Sequence, residues 1–240
     1  MRLGGGDLNA LFGIAGFAGG IGFGTIFLKR GYSLQRTYAL SKLESAMMPA
    51  IQVGLLVLVV TAPAFIFFSQ KGPGAMHAPW LISLAAGLVV GGLSQVSRLC
   101  TVGGFRDLFL FKKSILIFGY LAVLVGVFVV NISFGNFHLG FENQPIAHTD
   151  GLWNFLGMAL AGFCSVLLGG CPLRQLIMTG EGNSDSAVTV LGLAAGAAFA
   201  HNFGLAASGA GPTLNGEIAV GVGFVVALII AILNTKRVNA

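Results

Sequence analysis

Charged residues are scarce in this sequence, and that shortage sets the class of protein. They make up 9% of the 240 residues, whereas hydrophobic residues make up 55%. A soluble domain carries roughly 25% charged residues, so a mean hydropathy of +0.88 indicates an integral membrane protein. No segment between the apolar runs is long enough to fold alone, which excludes a soluble extramembrane domain. We also expect no cleavable signal peptide, because no clustered basic region precedes the first apolar run.

Cysteine and histidine are also few, and their numbers exclude several kinds of site. The three cysteines, Cys100, Cys164 and Cys171, do not make an even set for a disulfide framework, so we expect free thiols. The four histidines lack ligand-like spacing, which predicts no metal site. No nucleotide-binding motif occurs either, so we expect no cofactor and no ATP coupling within this chain.

Long apolar runs are present instead, and each is long enough to cross a bilayer as a helix. The predicted spans are residues 8–28, 46–69, 80–96, 114–134, 152–170, 186–208 and 217–233. Eleven of the 13 lysines and arginines fall in the connections after the first, third and fifth spans or in the C-terminal tail. This asymmetry predicts a cytoplasmic C-terminus and an N-terminus on the opposite side. The sequence thus predicts an all-α membrane protein of about seven transmembrane helices.

A pattern of glycine-rich span, break, small nucleophile-like residue and short arginine-bearing helix recurs three times. The small residue is Ser33 in the first unit, Cys100 in the second and Cys171 in the third. We predict one membrane transport domain over residues 1–240, with tandem helix-loop-helix units over residues 8–69, 80–134 and 152–208 and a final helix over 217–234. The short or re-entrant helices would meet at the centre. The alternative is that glycine-rich spans simply look alike.

The third break has the residue types of an anion site. Pro172 suits the first position of a helix, so Cys171 is a candidate N-cap and a short helix is predicted as far as Gly180. The N-terminus of a helix offers unpaired N–H groups and a positive dipole end to an anion. Gly170 and Arg174 flank this position as supporting contacts.

The second break is similar, because Gly103 and Gly104 follow Cys100 and can expose backbone N–H groups. Arg106 offers a guanidinium fork to an oxyanion, or it pairs with a neighbouring acid. Cys164 lies seven residues before Cys171, nearly two helical turns, so both can share one helix face. Cys164 can equally pack as a small apolar residue.

Residues 98–107 (RLCTVGGFRD) and 169–174 (GGCPLR) resemble the two signature stretches of the YeeE/YedE family of sulfur-transport membrane proteins. The resemblance implies a bacterial inner-membrane carrier for thiosulfate whose short loops meet at the centre of an hourglass. It implies pathway roles for Cys100 and Cys171, with Ser33 in the place of a thiol in the first unit. It also implies a small cytosolic sulfurtransferase-like partner and no enzymatic activity. A nucleic acid partner is not expected, because the basic residues lie in the connections between spans.

Three alternatives stay open at this point. Residues 180–183 (GEGN) resemble the YedE branch linked to selenium metabolism, which predicts a carrier of selenium compounds. A membrane thiol enzyme or sulfur-relay protein would instead form a persulfide at Cys171. A purely structural membrane subunit would tolerate alanine at both Cys100 and Cys171.

Overall fold

The structure is a computed structural model that describes residues 2–34, 41–63, 78–144 and 148–235. Within these ranges the regular structure is helical, apart from isolated β-bridges. A 3₁₀ helix, Arg2–Gly5, precedes the α-helices. These are α1 (Asn9–Lys29), α2 (Lys42–Thr61), α3 (Trp80–Ser97), α4 (Thr101–Phe111), α5 (Ile115–Ser133), α6 (Gly151–Leu167), α7 (Pro172–Gly180), α8 (Ser184–Asn202) and α9 (Leu214–Leu233). The predicted all-α class is confirmed.

Five helical stretches in the described part of the chain are long and apolar enough to cross a membrane. They are Asn9–Lys29, Trp80–Phe111, Ile115–Ser133, Gly151–Gly180 and Leu214–Leu233. The second joins α3 to α4 and the fourth joins α6 to α7, so two of the stretches contain a break and a short helix. The chain is therefore a multi-pass membrane protein.

Two of the seven predicted spans differ in extent from the helices that the structure describes. In the span predicted over 46–69, the apolar helix is only Ala50–Thr61, and residues 64–77 lie outside the described ranges. The span predicted over 186–208 ends earlier, at Asn202, because Gly204 takes a φ of 63° and the N–H of Leu205 turns back to the Ala200 carbonyl. Its many alanines and its polar start make α8 less apolar than the five stretches above.

The chain groups into two compact units. The larger unit contains α1, α4, α5, α6 and α9, and the smaller one contains α2, α3 and α7. Inside the larger unit α4 lies against both α1 and α5, where the Phe105 ring contacts the rings of Phe17 and Tyr120. The repeat boundaries and the single transport domain over residues 1–240 stay predictions.

Helices α1 and α6 form the tightest contact of the larger unit, and small residues make it possible. A Cβ atom on Gly16 would meet the Phe155 carbonyl, and one on Gly20 would meet the Ala159 carbonyl. From the other side, a Cβ on Gly162 would meet the Phe17 carbonyl. Small residues let two membrane helices bring their backbones together, which maximises their van der Waals contact. The glycine-rich first span is therefore a packing surface for α6.

The C-terminal ends of α1, α6 and α9 meet in an aromatic cluster. Its buried residues are Phe27, Tyr32, Phe163, Leu167, Ala227 and Ala231. The Tyr32 hydroxyl donates a hydrogen bond of 3.3 Å to the Leu167 carbonyl. Burial raises the pKa of the Tyr32 phenol, and the neighbouring Cys164 raises it further, so the phenol keeps its proton at neutral pH. This bond fixes the chain after α1 to the end of α6.

Candidate functional site

The three breaks share one backbone feature. A residue in the left-handed conformation stands two positions before the small polar residue. The pairs are Gly31 and Ser33, Arg98 and Cys100, and Gly169 and Cys171, with φ of 83°, 50° and 83° at the first member. Glycine adopts this conformation freely, whereas for Arg98 it costs roughly 1–2 kcal/mol. The common backbone supports the alignment of Ser33, Cys100 and Cys171 as equivalent positions.

The chain leaves α6 through a tightly bonded turn. The N–H of Gly169 donates to the Val166 carbonyl and the N–H of Gly170 to the Ser165 carbonyl, each at 3.1 Å. This is a Schellman motif, in which the left-handed glycine closes the last helical turn. Helix α7 then begins at Pro172 and ends at Gly180, as the sequence predicts. Cys171 is thus placed by a defined turn on one side and by a short helix on the other.

Replacing Gly169 with alanine should lower the free energy of unfolding by about 1 kcal/mol, because the left-handed φ of 83° strains any residue with a Cβ. Space is not the reason, since nothing lies within 4 Å of a Cβ at this position. The matched control is Gly157→Ala inside α6, where the space is also open and the helical backbone suits alanine. Denaturant titration of both variants in detergent measures the difference. Equal stability of the two variants would contradict the role of the turn.

Cys100 is the N-cap of α4. Its sulfur accepts a hydrogen bond of 3.2 Å from the Gly103 N–H, and its carbonyl accepts one of 2.9 Å from the Gly104 N–H. Both glycines are buried, and their nearest neighbours include Leu116 and Ile117. The N–H groups of Gly103 and Gly104, which the sequence predicts as ligand contacts, are thus bonded to Cys100. Their contact with a ligand stays a prediction.

Cys100 and Cys171 lie side by side. The side chain and the backbone N–H of Cys171 interact with the Cys100 thiol. Neither cysteine is in a disulfide, and only 8% and 3% of their surface is exposed. The structure therefore joins the two candidate pathway thiols, which the sequence singled out separately, into one buried pair. We call this the thiol pair.

The other two candidates of the predicted path lie in different surroundings. Cys164 is partly buried against the aromatic cluster, close to the Tyr32 phenol, which fits the packing alternative. Ser33 is exposed, and its N–H donates a bond of 3.2 Å to the Asn234 carbonyl after α9. Pathway roles for Cys164 and Ser33 stay predictions.

The two candidate arginines each have an acidic partner. Arg106 pairs with the adjacent Asp107, with an Nη2 to Oδ1 distance of 2.9 Å. In the smaller unit, Arg174 donates to the Gln95 Oε1 at 3.1 Å and lies 3.7 Å from the Glu181 carboxylate. The Gln95 amide also donates to Glu181. These pairings leave little net charge for an anion, so contact with a substrate stays a prediction for both arginines.

Sequence reasoning missed Gln95, although a polar side chain inside an apolar span is a signal that can be read from sequence. It joins α3 to α7 through Arg174 and Glu181. Among the residues that the structure describes, no group of three acidic, histidine or cysteine side chains is placed to hold a metal ion.

The helices and the buried thiol pair define a multi-pass α-helical membrane protein with buried cysteines at breaks in two apolar stretches. The sulphur-transport family matches residues 96–235, more than half of the chain, and this segment contains Cys100 and Cys171. The chain belongs to that family, which confirms the YeeE/YedE resemblance.

A curated relative gives a narrower comparison. The chain is 29% identical over 111 residues to the thiosulfate transporter TsuA of Escherichia coli strain K12. The aligned part is 45% of this chain and 30% of the relative, so the chain spans less than a third of that protein's length. No solved structure matches the chain.

Proposed function

We propose that this protein imports a small sulfur oxyanion, thiosulfate, across the bacterial inner membrane. The observation that carries the proposal is the thiol pair, because two buried thiols that interact stand at breaks inside the segment that matches the sulphur-transport family. Non-helical backbone at membrane depth is tolerated where it lines a cavity or is buried in protein. Cys100 and Cys171 then form the narrow part of the path, with Ser33 and Cys164 at further positions along it.

Thiol chemistry suits the passage of such an anion. A neutral S–H group is a weak hydrogen-bond donor, and a transport site must hold its solute strongly enough to admit it and weakly enough to release it. Each thiol immediately precedes a short helix, α4 or α7, whose N-terminal dipole offsets negative charge. The proposed path therefore needs no charged side chain buried beside the two thiols.

The direction of transport follows from the predicted topology. The positive-inside asymmetry predicts a C-terminus in the cytoplasm, where a small sulfurtransferase-like protein would accept the anion. Transport breaks no covalent bond of the substrate, so the chain acts as a carrier and not as an enzyme. In this proposal the gradient of the anion drives its movement.

Uptake of radiolabelled thiosulfate into proteoliposomes tests the proposal. We expect wild-type vesicles to exceed empty vesicles, and Cys171→Ala to reduce the initial rate at least about tenfold, because the pair loses one of its two donors. The matched control is Leu176→Ala on α7, whose side chain is 54% exposed and should leave uptake unchanged. Size-exclusion profiles of all three proteins check that folding is retained.

Three results would contradict thiosulfate import. Wild-type uptake no greater than that of empty vesicles excludes the carrier. Stronger competition by a selenium oxyanion than by unlabelled thiosulfate favours the selenium carrier. A covalent sulfur adduct on Cys171, seen by mass spectrometry of the intact protein, favours the persulfide relay.

A further inference from the structure

We infer that Gln95 is a positioning residue for transport, because its side-chain amide ties α3 to α7 through two side chains of opposite charge. The amide oxygen accepts a hydrogen bond of 3.1 Å from Arg174 Nη1, and the amide nitrogen donates to the Glu181 carboxylate. The guanidinium Nη2 and the carboxylate Oε2 lie 3.7 Å apart. We call these three residues the clasp. Its contacts are independent of any substrate, whereas its role in transport rests on the proposed function.

The clasp lies at the end of α3 that is buried. Ser94, next to Gln95, is the only buried residue of α3, a helix that the structure describes throughout. Large apolar side chains earlier on the helix are exposed, Leu88 at 70% and Leu93 at 66%. A polar side chain in an apolar helix of a membrane protein marks a functional position by default. The hydrogen bonds of Gln95 therefore contribute a large share of what holds α3 to α7.

The two charges of the clasp stand against the dipole of α7. Arg174 is the third residue of this helix, near its positive end, and Glu181 follows directly after its last residue, near the negative end. The Glu181 N–H still bonds to the Ile177 carbonyl, so the helical spacing extends to it. Seven residues are close to two helical turns, so both charges share one face. Because α7 alone disfavours both charges, their contact with Gln95 is the interaction that offsets this cost.

Helix α7 is the element through which the clasp acts on transport. Cys171 directly precedes α7, and the N-terminal dipole of this helix offsets the charge of the anion in the proposed path. The dipole helps only while α7 keeps its orientation. Without the clasp α7 moves more freely, so a smaller fraction of the molecules is competent to bind the anion, and the apparent affinity falls in proportion.

An exchange of the two charges separates a positioning role from contact with the substrate. An amide has an acceptor oxygen and a donor nitrogen, and a rotation of the Gln95 amide by about 180° exchanges them. In the double substitution Arg174→Glu with Glu181→Arg, the turned amide can therefore bond both side chains again. Both charges then also suit the helix dipole. A site that uses the positive charge at position 174 to bind the anion would be lost by the same exchange.

Hydrogen exchange of the purified full-length protein, measured by mass spectrometry, tests the clasp. The amides of α7 should exchange at least about threefold faster in Gln95→Leu, and at the wild-type rate in the double substitution. The matched control is Gln52→Leu, the same change at an exposed position of α2, which should leave the exchange of α7 unchanged. Unchanged exchange of α7 in Gln95→Leu, or an equal rise in α9, would overturn the clasp.

Thiosulfate uptake into proteoliposomes of the same variants tests the role in transport. At low thiosulfate we expect Gln95→Leu to lower the initial rate about fivefold, and the double substitution to restore it to within about twofold of the wild type. Wild-type uptake by Gln95→Leu would overturn the positioning role. Loss of uptake in a double substitution with wild-type exchange would overturn it in favour of substrate contact by Arg174. Absence of uptake in the wild type would instead contradict thiosulfate import, and hydrogen exchange would still decide the clasp.

Discussion

Replacing Gly20 with alanine should cost about 3 kcal/mol or more of the free energy of unfolding. A Cβ at this position would lie inside the Ala159 carbonyl group, so α1 and α6 must move apart along their shared surface. Overfilling a packed contact usually costs 1–3 kcal/mol, and here the obstacle is backbone, which cannot rotate away as a flexible side chain does. The separation also weakens the contacts of Gly16 and Gly162 on the same surface.

The neighbouring glycine gives a matched control for this substitution. A Cβ on Gly19 would meet only the Cζ atom of Phe155, at 3.9 Å, which is an ordinary van der Waals contact. Gly19→Ala should therefore leave stability unchanged or raise it slightly through helix propensity. Thermal unfolding of both variants in the same detergent measures the contrast. If Gly20→Ala unfolds at the wild-type temperature, the close approach of α1 and α6 is wrong.

Much of the fold could be predicted from local sequence, because each helix depends on local signals. Apolar runs predicted the five helical stretches, and Pro172 with Gly180 predicted both ends of α7. The pairing of α1 with α6 could not be predicted in this way. Glycines show that a helix can approach a partner, but the partner is chosen by surfaces far apart in the sequence.

The site shows the same division between local and long-range information. Residues 98–107 and 169–174 were found from their breaks and their cysteines, and the left-handed residues at Arg98 and Gly169 show why the helices end there. That the two cysteines touch is a tertiary fact with no local signal. The same holds for Gln95, which contacts Arg174 and Glu181 from another helix. Arg106, by contrast, pairs with the adjacent Asp107, an alternative that the sequence analysis named.

Substitutions at Cys100 should separate its structural role from its role in transport, because its sulfur has two functions. As the N-cap of α4 it accepts a bond from Gly103, and as half of the thiol pair it contacts Cys171. Serine is among the preferred N-cap residues, and replacing a capping side chain with alanine typically costs about 1 kcal/mol. We expect Cys100→Ser to keep wild-type stability and Cys100→Ala to lose about 1 kcal/mol.

Transport should respond differently to the same two substitutions. If the thiol itself contacts the anion, both variants lose it, and both should show an initial thiosulfate uptake at least about tenfold below the wild type. Proteoliposome uptake and denaturant titration of the same preparations give the two numbers for each variant. Wild-type uptake by Cys100→Ser would show that the cap alone matters at this position, and it would remove Cys100 from the path. Loss of uptake with stability retained assigns the effect to the sulfur, since serine supplies the cap and lacks only the thiol.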